Sequence, residues 1–71
     1  MKNFVREKRI EFNMTQDDLS EKLDVSRQTI ISLEKERYNP SINLAFKISK
    51  LFNCKIEDIF IYEEDEENDS Y

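Results

Sequence analysis

The sequence predicts an all-α domain of five short helices, followed by an acidic tail. Three observations carry this reading: apolar residues recur at three- and four-residue spacings, Asn or Asp stands where those stretches end, and Ser or Thr stands where most of them begin. Glycine is absent and Pro40 is the only proline, so Asn and Asp take over the punctuation of the chain. A length of 71 residues leaves room for one small domain. A chain of this size buries only about 60% of its unfolded surface. Its apolar residues, 38% of the total, must therefore be placed economically, and regular spacing does so.

The first helix is expected at about residues 3–12, closed by Asn13. The second, at about 15–23, starts on Thr15 and stops at Asp24. The third, at about 26–35, starts on Ser26, and the fourth, at about 41–52, runs from Ser41 to Asn53. Thr15, Ser26 and Ser41 each offer a side-chain oxygen to the unpaired amides of a first turn. Asn13, Asp24 and Asn53 belong to the residue types that tolerate the left-handed backbone closing a helix. A fifth helix at about 55–60 is indicated by Ile56, Ile59 and Phe60, which share one face. Ile61 and Tyr62 either extend that helix or form a short strand. The domain is thus expected to span residues 1–62. Residues 63–69 read EEDEEND, a like-charge run that repels itself and has nothing to bury, so residues 63–71 are expected to be disordered.

Composition narrows the class of function. The formal net charge is −5, but residues 1–60 hold all 11 Lys and Arg against ten acids, a net of +1, and the other six acids fall in residues 61–71. The body of the protein is therefore nearly neutral. No apolar run approaches the roughly 20 residues needed to span a membrane, and the N-terminus lacks the apolar core of a signal peptide, which points to the cytoplasm. Cys54 is the only cysteine and histidine is absent, so intramolecular disulfides, ordinary zinc fingers and His-based catalysis are excluded together. Cys54 reads as a core or turn residue. No metal or cofactor is expected. The carboxylates lack a paired nucleophile or a glycine-rich loop, so they read as solvated helix faces rather than as an enzyme site.

The stretch Gln16 to Lys35, QDDLSEKLDVSRQTIISLEK, carries the functional information, because two short helices meet there at a tight turn. Leu19 and Leu23 are four apart on the first helix, Ile30 and Leu33 three apart on the second, and Val25 plugs the corner. Ser20 is small where the helices cross. The second helix is left protruding, a shape that suits the major groove of B-DNA, about 12 Å wide. Its outward face reads Arg27, Gln28, Ile31, Ser32 and Lys35. Arg can pair bidentately with guanine, Gln with adenine, and Ile31 can meet a thymine methyl. Ser26 and Thr29, at the start of this helix, complete the expected contact surface. Thr15 and Gln16 open the preceding helix, where free amides favour a phosphate. Arg37, Tyr38 and Asn39, in the loop after the protruding helix, are expected to hold the DNA backbone, positioning rather than specifying.

The segments MTQDDLSEKLDVSRQTIISLEK and RYNPSINLAFKISKLFNCKIEDIF resemble the Xre/Cro/C1-type helix-turn-helix family of phage and prokaryotic repressors, over roughly residues 3–62. The TQ opening, SRQTI, the LEK that follows, YNPS and the terminal IEDIF fall in the order and spacing of that family, closest to its short stand-alone members. The resemblance implies a five-helix, lambda-repressor-like domain that binds double-stranded operator DNA as a homodimer, usually as a repressor. It places Gln16, Arg27, Gln28 and Ser32 near bases or adjacent phosphates, and Thr15 and Asn39 on the backbone. It also implies a partly buried ion pair between Arg9 and Glu34 that ties the first helix to the recognition helix. Phe60, Ile61 and Tyr62 are the expected dimer contact. Three positions depart from the family: Asp24 and Glu36 stand where glycine is usual, and Lys8 replaces a common apolar residue. The acidic tail leaves a second function open, an antitoxin-like module whose tail holds a protein partner.

Overall fold

A computed structural model of the chain describes residues 2–61, so Tyr62 and the acidic segment 63–71 lie outside the described residues. The elements follow in the order β1 (Lys2–Asn3), α1 (Val5–Glu11), α2 (Gln16–Leu23), α3 (Arg27–Glu34), α4 (Ile42–Leu51), α5 (Ile56–Ile59) and β2 (Phe60–Ile61). The two strands form one antiparallel pair, with Lys2 opposite Ile61 and Asn3 opposite Phe60. The five expected helices are present, and of the two alternatives for the end of the domain, Ile61 takes the strand.

Each helix start has a local chemical cause. The Thr15 hydroxyl accepts the Asp18 amide at 3.0 Å while the Asp18 carboxylate accepts the Thr15 amide at 2.9 Å, a reciprocal cap. Ser26 and Ser41 accept the amides of Thr29 and Leu44, each at 3.2 Å. Caps of this kind contribute about 1 kcal/mol apiece. The first helix starts later than residue 3, because Asn3 is taken by β1. Its side-chain oxygen accepts the Val5 amide at 3.1 Å and so satisfies the first turn of α1 from outside the helix. Phe60, expected in the fifth helix, likewise leaves it for β2.

The ends of the first four helices are uniform despite the missing glycine. Asn13, Asp24, Glu36 and Asn53 all have left-handed backbones, with φ of 58°, 56°, 62° and 53°. After each, the next amide reaches back to a carbonyl five residues earlier: Met14 to Arg9 at 2.9 Å, Val25 to Ser20 at 3.0 Å, Arg37 to Ser32 at 3.0 Å and Cys54 to Ser49 at 2.9 Å. These are Schellman closures, and they satisfy carbonyls that the helices leave open. Asn and Asp suit that conformation. Glu36 does not, and a β-carbon in this region costs an ordinary residue about 1–2 kcal/mol.

Every helix sends side chains into one core. Val5, Leu19, Leu23, Ile30, Leu33, Ile48, Phe52 and Ile59 are at most 2% exposed, and Leu44, Ala45 and Phe60 close its edges. Ser20 is buried with them, and its hydroxyl donates to the Asp17 carbonyl at 2.8 Å, so the small residue at the α2–α3 crossing leaves no unmet polar group. Val25 packs against this core at the corner between α2 and α3.

Candidate nucleic-acid interface

Helix α3 has two opposite faces. Ile30 and Leu33 are fully buried against Leu19 and Leu23 of α2. On the other side Arg27, Gln28 and Lys35 are exposed, and Ile31 and Ser32 are half-buried. Residues four apart stack along a helix, so Arg27, Ile31 and Lys35 form one row and Gln28 with Ser32 a second beside it. Guanidinium, amide, methyl and hydroxyl groups thus stand side by side on a surface that the core leaves free.

Behind that surface an ion pair sets the pose of the helix. The Arg9 guanidinium donates from Nε to Glu34 Oε2 at 2.7 Å and from Nη2 to Oε1 at 3.3 Å, while Nη1 donates to the Met14 carbonyl at 2.9 Å. The two side chains are only 13% and 6% exposed. Gln16 Nε2 adds a third donor to the Glu34 carboxylate at 3.2 Å. One carboxylate on α3 therefore gathers α1 and the start of α2, and Arg9 holds the loop between them. Gln16, expected near DNA, is half-buried and engaged in this cluster.

Arg6, Arg9, Thr15, Gln16, Arg27 and Lys35 line a groove between α1, the start of α2 and α3. Arg27 lies 3.7 Å from the Asp17 carboxylate with both side chains more than 60% exposed, a contact of at most about 1 kcal/mol that an incoming phosphate or guanine can replace. Asp18 sits in the same first turn. The backbone amide of Thr15, and then its hydroxyl, hold the Asp18 carboxyl below its ordinary value, so it stays ionised and keeps its cap at neutral pH. The caps also use the Thr15 hydroxyl, and Ser26 and Thr29 bond to each other at 2.9 Å. Their local task is to shape the two helix starts that face the groove.

The remaining expected residues separate into three groups. Arg37 and Asn39 are exposed in the loop after α3, and Tyr38, 38% exposed, rests beside Val25 and Leu44 with one side in solvent. Phe60, expected at a contact between copies, is 7% exposed and belongs to the core of its own chain, and Ile61 is half-buried. Phe60 therefore has little surface to give a second copy. Tyr62 lies outside the described residues.

Two features escaped the sequence reading. Asn3 donates through its side-chain amide to the Leu33 carbonyl at 2.9 Å, which pins β1 to the last turn of α3. A two-residue strand shows no alternation, so nothing in the sequence marked it. Ile42 and Phe46, one turn apart on α4, are 64% and 57% exposed. Their signal was available: INLAFKISKLF holds more apolar residues than one helix face accommodates.

The helix-turn-helix family profile matches residues 5–59, from the start of α1 to the end of α5. An uncharacterized HTH-type transcriptional regulator of Methanocaldococcus jannaschii is 62% identical over 66 residues, covering 93% of this chain and 100% of the relative. A second, from Archaeoglobus fulgidus, is 53% identical with 93% of each chain covered, and a third, from Bacillus subtilis, is 48% identical over 92% of this chain and 98% of its own. The match extends over every helix that builds the protruding face and its ion-paired support. The chain belongs to the Xre/Cro/C1-type helix-turn-helix family and is a DNA-binding transcriptional regulator, not an enzyme.

Proposed function

We propose that the protein is a repressor that reads a pseudo-palindromic operator as a homodimer. The observation that carries the reading is the pair of rows on α3: Arg27, Gln28, Ile31 and Ser32 lie on the one side of the helix that the core does not use. In the major groove Arg27 pairs with guanine, Gln28 with adenine, Ile31 meets a thymine methyl and Ser32 bonds a base edge or phosphate. Thr15 and the first amides of α2, with Lys35, Arg37, Tyr38 and Asn39, take the phosphates on either side of the groove. Repression follows from occupancy, since a bound dimer covers the DNA it reads and needs no further activity.

A second copy is favoured by Ile42 and Phe46. Apolar side chains this exposed and this close together mark interaction surfaces. Phe46 also borders a groove with Cys54, Lys55 and Ile56, which gives a partner's side chain somewhere to lodge. Two recognition helices set about 34 Å apart then meet successive major grooves.

Selection of bound duplexes from a random pool tests all three parts. An inverted repeat with half-sites about one helical turn apart is expected. An unrepeated site overturns the dimer, and no enrichment overturns sequence reading. A promoter carrying the selected site should fall silent when the protein is supplied, and increased transcription overturns repression.

A further inference from the structure

The acidic end of the chain and the DNA-reading face are joined by the strand pair. Phe60 lies opposite Asn3 in the β ladder, and the Asn3 side chain is bonded to the Leu33 carbonyl in the last turn of α3 at 2.9 Å. Adjacent strands place paired Cα atoms only about 4.5–5.5 Å apart. Ile61, the last described residue, therefore lies near the C-terminal end of α3. Lys35 and Arg37 are exposed at that end, and among the described residues neither they nor Arg6 has a carboxylate within ion-pair distance.

From this geometry, and resting on the DNA-binding role of α3, we propose that residues 63–71 bind in cis to the basic surface of Arg6, Arg27, Lys35 and Arg37 and compete there with DNA phosphates. The segment carries Glu63, Glu64, Asp65, Glu66, Glu67 and Asp69, six of the chain's 16 acids and the whole of its net negative charge. Nine residues reach roughly 30 Å when extended, more than the roughly 12 Å length of the eight-residue α3. The rival basic surface is weaker. Lys50 and Lys55 border Asp58 and Glu57 in the grooves beside Phe46, two cations against two carboxylates. The α3 groove is more positive: with Arg9 and Glu34 spent on each other, Arg6, Arg27 and Lys35 line it with Asp17 alone, and Arg37 lies beyond it next to Glu36, whose carboxylate accepts the Asn3 amide at 3.4 Å. A tethered competitor acts at an effective concentration of about millimolar, so weak contacts suffice. Screening weakens them as salt rises. The segment then acts as a filter, displaced by an operator that adds base contacts and able to suppress binding to DNA that offers phosphates alone.

The test compares the full chain with a full-length variant in which all four glutamates become glutamine and both aspartates become asparagine. Backbone amide shifts in the absence of DNA should differ between the two at Arg6, Arg27, Lys35 and Arg37 in low salt, and converge at high salt. The neutral-tail variant should bind random-sequence duplex roughly tenfold more tightly in low salt, with the gap closing as salt rises. Identical shifts on this face, or differences confined to Lys50 and Lys55, overturn the contact. Tighter DNA binding with unchanged shifts also overturns it, leaving only repulsion at a distance. If neither protein binds DNA, the DNA-binding role of α3 fails, while the shifts still decide whether the tail holds this face.

Discussion

Helices α3 and α4 bury similar sides in the same core and differ in what they leave outside. In α3 the free side holds Arg27, Gln28, Ser32 and, just beyond its end, Lys35, each able to form directed hydrogen bonds. In α4 the exposed residues are Ile42 and Phe46, which can form none, interleaved with Asn43, Lys47 and Lys50. The support differs in the same sense: α3 is clamped by the Arg9–Glu34 pair, whereas α4 is held through Leu44, Ala45 and Ile48. Burial explains why both are helices in this fold. Their uncovered faces differ in kind, a polar row on α3 and an apolar pair among polar neighbours on α4.

The largest effect should come from removing the clamp. Glu34→Ala leaves Arg9 largely buried without its partner and releases Gln16, so about 3–5 kcal/mol of stability is expected to be lost. Thermal unfolding followed by circular dichroism measures it, and a loss under about 1 kcal/mol would show that α3 is held by its apolar side alone. Next in size is Phe46→Glu, which places a charge on the exposed face of α4. It should weaken self-association by at least about 2 kcal/mol while leaving the fold intact. Sedimentation equilibrium reads this directly; an unchanged oligomeric state moves the contact elsewhere.

Arg27→Ala and Gln28→Ala should each cost about 1–3 kcal/mol at the selected operator, relax preference at one base position and leave the melting temperature unchanged. If both variants bind as well as the parent protein, α3 does not present its reading face as proposed. The smallest effect is a gain: Glu36→Gly removes a β-carbon from a left-handed position and should stabilise the domain by about 1 kcal/mol. The gain is reduced by the weak bond from the Asn3 amide to the Glu36 carboxylate, 3.4 Å long. A measured loss would mean that this bond, or the added freedom of glycine in the unfolded chain, outweighs the strain.

The local grammar of the chain was legible because it is chemically local. Thr15, Ser26 and Ser41 cap amides three residues away, and Asn13, Asp24 and Asn53 end helices through their own backbone preferences. The fourth left-handed end was not read from composition, because glutamate has no such preference; only the family's usual glycine at Glu36 pointed there. Among the site residues, the outward row of α3 followed from the three- and four-residue spacing of its buried partners. The engagement of Gln16 with Glu34 did not, since the two are 18 residues apart and no periodicity links them.

By itself the sequence determined five helices, their starts and most of their ends, the apolar sides of the second, third and fifth, and the separation of a nearly neutral body from an acidic end. These depend on interactions within a few residues and on the repeat of the helix. Only the tertiary structure decided that Asn3 belongs to a strand against the last turn of α3, that Phe60 is buried in the core of its own chain, and that Ile42 and Phe46 remain uncovered in it. Each of those outcomes depends on which distant element packs against the residue, and that is settled only when the whole core closes.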